Sequence, residues 1–108
     1  MEVHIFLYYL KGTRLIMKIL AVCGFGVGSS MVLKMSIERV LREIGVDAEV
    51  ENTDINSARG MDCDVIFTSA ELQEELKGTC NVPVYPVKKY MDLAEVKEVV
   101  QKFLNDKK

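Results

Sequence analysis

The chain has 108 residues, 28% of them charged, and a formal net charge of −2. That length makes one domain able to close a core without disulfide or metal staples, and that charge supplies no basic field for nucleic acid. Three cysteines (Cys23, Cys63, Cys80) and one histidine, His4, form no CxxC pair and no His/Cys metal cluster. Reduced thiols in a cytoplasmic protein without metal or cofactor are therefore expected.

Residues 1–16 differ from the rest. Ile5-Phe6-Leu7-Tyr8-Tyr9-Leu10 is apolar but far shorter than the roughly 20 residues that span a bilayer. Lys11 and Arg14 follow that run rather than precede it, and no small-residue cleavage site comes after, which speaks against a signal peptide. The segment reads as an N-terminal extension, of the kind a misplaced translational start produces, with the domain at 17–108. An added edge strand or a surface helix is the competing reading.

From Lys18 strands and helices alternate, the pattern of a parallel α/β sheet. Strand 1 is expected at Lys18–Val22 and helix 1 at Ser30–Ile44. The helix sets Leu33, Ile37, Val40, Leu41 and Ile44 on one face, and Gly45 stops it. Strand 2, Asp47–Asn52, alternates Ala48 and Val50 with acidic residues and reads as an edge with one wet face. Asp54–Gly60 has room for a short helix at most. Strand 3, Val65–Thr68, is continuously apolar and central. Ser69 caps a helix through Leu76, ended by Gly78. Strand 4, Val82–Val87, carries Pro83 and Pro86 and belongs at an edge. The last helix starts at Asp92 with Glu95 completing a capping box, and buries Val96, Val99, Val100, Phe103 and Leu104. The sum is a single three-layer α/β/α domain on a four-stranded parallel sheet, Rossmann-like, with a phosphate loop after strand 1.

That loop is Cys23-Gly24-Phe25-Gly26-Val27-Gly28-Ser29-Ser30. Glycines permit positive φ and let backbone N–H groups turn inward, and the helix opening near Ser29 or Ser30 adds unpaired donors and a positive dipole end. A thiol in such a place falls from about 8.5 to about 3.5–7.5 and becomes a nucleophile; a cysteine merely buried beside a tight turn is the plainer alternative. The dinucleotide fingerprint fails because Ser29 stands where its last glycine belongs, and a P-loop fails for want of lysine. A cysteine phosphatase would place arginine six residues after the nucleophile, where Ser29 stands. Backbone donors without that arginine hold a phosphoryl group on sulfur but do little to hydrolyse it. Such a site carries phosphate.

These residues meet a known family. MKILAVCGFGVGSS at Met17–Ser30, followed by Met31, Lys34 and Met35, resembles the IIB components of the bacterial phosphoenolpyruvate-dependent sugar phosphotransferase system. The ascorbate-type branch, with a loop like C-G-x-G-x-G-S-S-M, is the nearest, within a superfamily that includes lactose/cellobiose and galactitol types. The resemblance implies that Cys23 is phosphorylated from a phosphohistidine on a IIA partner and passes the group to a sugar held by a membrane IIC transporter. Gly24, Phe25, Gly26, Val27, Gly28, Ser29 and Ser30 would bind the phosphoryl oxygens. A low-molecular-weight tyrosine-phosphatase-like hydrolase and a regulatory IIB-like module are the alternatives. Thr68 and Ser69 border the site on this reading, Ser69 being equally a plain helix cap. Phe25 and Val27 are expected to offer an apolar contact to IIA or IIC, or else to anchor the loop. Met31 and Met35 read as core or rim packing, and Cys63 and Cys80 as chemically idle.

Overall fold

Each strand forms where apolar residues run together or alternate with polar ones between turns, and the four lie side by side in one sheet. The computed structural model describes residues 17–24 and 27–107, without the side chains of Val27 and Lys107. The expectations for residues 1–16, Phe25 and Gly26, and for the Val27 side chain, lie outside the described residues. The elements are β1 (Met17–Val22), α1 (Val27–Ile44), β2 (Ala48–Thr53), α2 (Ile55–Ala58), β3 (Val65–Thr68), α3 (Ala70–Lys77), β4 (Val84–Pro86) and α4 (Leu93–Lys107). The sheet order is β2-β1-β3-β4, and every pairing is parallel. The expected α/β class is found, with β2 and β4 at the edges and β3 inside.

Alternation along the strands splits the core between the two faces of the sheet. Ile19, Ala21, Cys23, Val65 and Phe67 join Leu33, Ile37, Val40 and Leu41 of α1 and Val96, Val100 and Phe103 of α4. Leu20, Val22 and Ile66 turn the other way, against Ala58 of α2 and Leu76 of α3. Helices therefore cover both faces, as a parallel sheet requires. Phe103 stands edge-on to Phe67 and Tyr85, with ring centroids 6.3 and 5.8 Å away.

Gly45 ends α1 with φ of +74°, and the Val46 N–H returns to the Leu41 carbonyl at 3.0 Å. That is a Schellman stop, which needs a residue without Cβ in the left-handed region.

Two elements depart from the sequence reading by more than one residue, and one cap is built differently. α1 begins at Val27, not Ser30, because Val27 and Gly28 join the helix although glycine costs about 1 kcal/mol there relative to alanine. β4 is confined to Val84–Pro86; Pro83 lies outside the strand but still accepts from the Ile66 N–H at 3.0 Å. At α4, Asp92 caps as expected, accepting from Ala94 and Glu95 N–H at 3.1 and 3.2 Å. Glu95 does not reach back to Asp92, whose N–H already donates to the Lys89 carbonyl. Its carboxylate instead accepts the N–H groups of Lys88 and Lys89 at 2.6 and 3.0 Å.

Candidate active site

In this strand order the chain leaves β1 toward β2 on one side and β3 toward β4 on the other. The direction reverses between β1 and β3, and ligands of open α/β sheets collect at the carboxyl ends of such strands. Cys23 follows β1 at that point, Thr68 ends β3 and Ser69 follows it. The Thr68 hydroxyl, fully buried, donates to the Val22 carbonyl at 2.6 Å, tying the two strand ends together directly before the cysteine.

Cys23 continues the alternation of Ile19 and Ala21, so its side chain turns beneath α1 and α4 and is 1% exposed. Burial pushes the thiol up from its ordinary value, and a hydrogen bond with the Tyr90 side chain partly opposes the rise. The lowering expected of a helix terminus does not prevail, because the thiolate loses more by leaving water than its neighbours return. Tyr90 is half-buried in the turn between β4 and α4. Burial first, and then the contact with Cys23, push its phenol far up, while Ser69 acts the other way and Glu71 adds a like-signed field. Tyr90 therefore keeps its proton.

The first turn of α1 contains Val27, Gly28 and Ser29, whose N–H groups have no intrahelical acceptor and face outward along the axis. No acidic residue stands in that turn. Gly24 and Gly28 do not have the positive φ foreseen for the loop; among the described residues only Gly45 does. Gly28 sits in the helix, and a Cβ there would meet nothing within 4 Å. At Gly24 a Cβ would touch only Leu72, at an ordinary 3.5 Å. Ser29 is half-buried, whereas Ser30 is buried and its Oγ accepts from Asn52 Nδ2 at 3.2 Å, joining the start of α1 to β2. Ser69 caps α3, its Oγ accepting from the Leu72 N–H at 3.3 Å.

Met31 and Met35 are exposed on α1 rather than in the core. Cys63 and Cys80 lie at the opposite end of the sheet, on a cavity of about 220 Å³ also lined by Arg59 and Thr79. Among the described residues no group of histidine, cysteine and carboxylate side chains is arranged to hold a metal ion, and no helix is long and apolar enough to cross a membrane. Sequence reasoning missed Tyr90 and Asn52. The strand order offers a signal for Asn52, which lies near the end of β2 at the rim where Cys23 follows β1; for Tyr90, in an irregular turn, the sequence offers none.

The family model for the lactose/cellobiose-specific IIB subunit of the PTS system matches residues 18–102. The chain belongs to that family. Such IIB subunits are phosphotransferase components, so a phosphoryl-carrier role follows in kind. The chain is 33% identical over 88 residues to the ascorbate-specific PTS system EIIB component of Mycoplasma pneumoniae, covering 80% of this chain and 93% of the relative. It is 31% identical over 80 residues to a protein of the same description from Escherichia coli O157:H7, covering 72% and 79%. The lactose-specific IIB domain of Streptococcus pneumoniae superposes with a TM-score of 0.62 at 17% identity, covering 83% of this chain and 96% of that one. That likeness establishes the shared IIB fold, with the four-stranded parallel sheet at its centre.

Proposed function

We propose that this IIB chain is a cytoplasmic carrier in which Cys23 accepts a phosphoryl group from a phosphohistidine of a IIA partner. It then passes the group to an ascorbate-like sugar acid held by a membrane IIC transporter, with 17–108 as the carrier domain. The observation that carries this reading is the place of Cys23, at the end of β1, between the reversal point of the sheet and the start of α1. The ascorbate-specific relatives support the substrate class.

In the transfer the Cys23 thiol ionises and its sulfur lone pair attacks phosphorus. An S–P bond forms as the N–P bond breaks, and the departing imidazole nitrogen takes up one proton, balancing the one lost by the thiol. The N–H groups of Val27, Gly28 and Ser29 favour the phosphoryl oxygens through hydrogen bonding and the helix dipole. The remaining loop positions, Gly24, Phe25, Gly26 and Ser30, complete the proposed cradle. Because Cys23 is 1% exposed, the groups over it must part when the donor docks. Little further chemistry is needed, since phosphoryl transfer depends mainly on positioning and electrostatics.

The test uses phospho-IIA of an ascorbate-specific system, charged from phosphoenolpyruvate with labelled phosphate. Wild-type protein takes up one label per chain, and Cys23→Ser takes up none while keeping its amide spectrum. Equal labelling of the serine variant, or sustained turnover of an aryl phosphate, overturns the carrier assignment.

A further inference from the structure

Val22 is the last residue of β1, and it closes both ladders of that strand, paired with Thr53 of β2 and with Thr68 of β3. The backbone leaves the sheet there, so the placement of Cys23 depends on what fixes that end. Thr68 differs from the rest of its strand. Val65, Ile66 and Phe67 bury hydrocarbon alone, whereas Thr68 buries a hydroxyl at 0% exposure. Valine has nearly the same shape, and a buried hydroxyl is unfavourable unless it is hydrogen-bonded. This one donates to the Val22 carbonyl at 2.6 Å. That oxygen and the Cys23 N–H belong to one planar peptide unit, so holding the first orients the second and the backbone from which the thiol departs. Thr68 is itself held, because its carbonyl accepts the Val87 N–H at 2.7 Å. After the cysteine, Leu72 lies 3.5 Å from the place a Cβ on Gly24 would occupy, and the Leu72 N–H is bound to the Ser69 cap at 3.3 Å. The junction of β3 and α3 therefore flanks Cys23 twice, with Thr68 at the peptide before it and Leu72 at the residue after.

We propose that Thr68 is a positioning residue for Cys23, its hydroxyl fixing the Val22–Cys23 peptide so that the sulfur meets an incoming phosphoryl group from one direction. The inference rests on Cys23 being the group that accepts phosphate. Thr68 is buried beneath the strand ends and acts only through the main chain; no bond to it forms or breaks.

Two measurements on the full chain test this, in Thr68→Val, which keeps the shape and loses the hydroxyl, and in Thr68→Ser, which keeps the hydroxyl. The first needs no phosphoryl donor: the ¹H–¹⁵N residual dipolar coupling of the Cys23 amide reads the tilt of its peptide. It changes in Thr68→Val while the couplings of Ile19 and Ala21 stay at wild-type values, and it returns in Thr68→Ser. The second is the rate of labelling from phospho-IIA of an ascorbate-specific system at increasing donor concentration. Thr68→Val lowers the saturated rate by about tenfold to a hundredfold, the scale of a small misplacement of reacting groups. The half-saturating donor concentration is unchanged, and Thr68→Ser restores the rate. If Thr68 only stabilised the strand, its loss would lower the melting temperature and leave both readouts alone. An unchanged Cys23 coupling in Thr68→Val overturns the proposal, and so does a changed coupling with wild-type labelling kinetics. A changed coupling in a protein whose wild type never labels sustains the hold on Cys23 and refutes the carrier role instead. Should Thr68→Val fail to fold, Thr68→Ala against Thr68→Ser, both lacking the methyl group, repeats the comparison.

Discussion

Removing the Glu95 carboxylate tests whether one acid fastens the turn beside the cysteine. In Glu95→Ala the N–H groups of Lys88 and Lys89 lose their acceptor, at 2.6 and 3.0 Å in the intact protein. Bonds to a charged acceptor reach about 1.5–3 kcal/mol each, but these lie near solvent, where water replaces much of the loss. A total of about 1–2 kcal/mol is the reasonable figure, and at about 4–8 °C per kcal/mol the melting temperature drops by about 5–15 °C. The local effect is sharper. Each amide had been held by about 1 kcal/mol, so its hydrogen exchange accelerates about fivefold to tenfold, while the amides of β1 and β3 follow only the global change. Exchange measured by two-dimensional NMR on wild type, Glu95→Ala and Glu95→Gln separates these effects. Glutamine keeps an oxygen acceptor without the charge and falls between the other two. Unchanged exchange at Lys88 and Lys89 in Glu95→Ala would refute the clamp, and with it the idea that Glu95 serves the turn rather than the helix cap.

Gly45→Ala forces a Cβ into the left-handed region at φ of +74° and costs about 1 kcal/mol in urea unfolding; an unchanged midpoint would contradict that backbone assignment. The folded protein also loses stability in alkali. Burial raises the Cys23 thiol, and burial together with Asp106 raises Tyr85 to about 12. Each group releases its proton more readily when unfolded, so its contribution is complete below the unfolded value, about 8.5 for the thiol and about 10 for tyrosine. It is lost as pH rises toward the folded value. Urea midpoints therefore hold steady near neutrality and decline above about pH 9, and Cys23→Ser removes the earliest part of that decline. Stability that rises with pH in this range would reverse the sign and reject the burial of the thiol.

Much of the fold is legible because single residues settle single questions. Val65–Thr68 has no polar face to expose, so it must be covered on both sides, and β3 occupies those same four positions. The acidic residues alternating in β2 require an edge, and Gly45 marks its helix stop. The start of α1 is harder to read, since a stretch with glycine at 24, 26 and 28 resembles an open loop until packing draws Val27 and Gly28 into the helix. The burial of Cys23 is legible in principle: counting by two from Ile19 through Ala21 leads to it. Attention to the glycines hides that count. Tyr90 is not legible, because its contact depends on where a turn 67 residues further along comes to rest. Nothing in Lys88-Lys89-Tyr90-Met91 signals that the phenol points inward.

The groups gathered at the sulfur bear on what happens to a phosphoryl group once it is there. Hydrolysis needs a water molecule deprotonated near phosphorus and a cation to hold the equatorial oxygens. Tyr90 holds its proton far above neutral pH and so cannot act as the base. Thr68 is fully occupied beneath the strand ends, Ser30 is engaged with Asn52, and Ser69 is the α3 cap. No arginine occurs between Cys23 and Ser30. Glu71 reaches this centre only through its field on Tyr90. Such a set can stabilise charge but has no evident means of activating water. If Cys23 carries the phosphoryl group as proposed, the burial that makes its thiol reluctant to ionise also keeps solvent from the phosphorylated sulfur, so a disfavoured thiolate and a long-lived thiophosphate share one physical cause. A carrier gains from that exchange, because its donor binds and uncovers the sulfur for the moment of transfer. A hydrolase, which must admit water at every turnover, would lose by it.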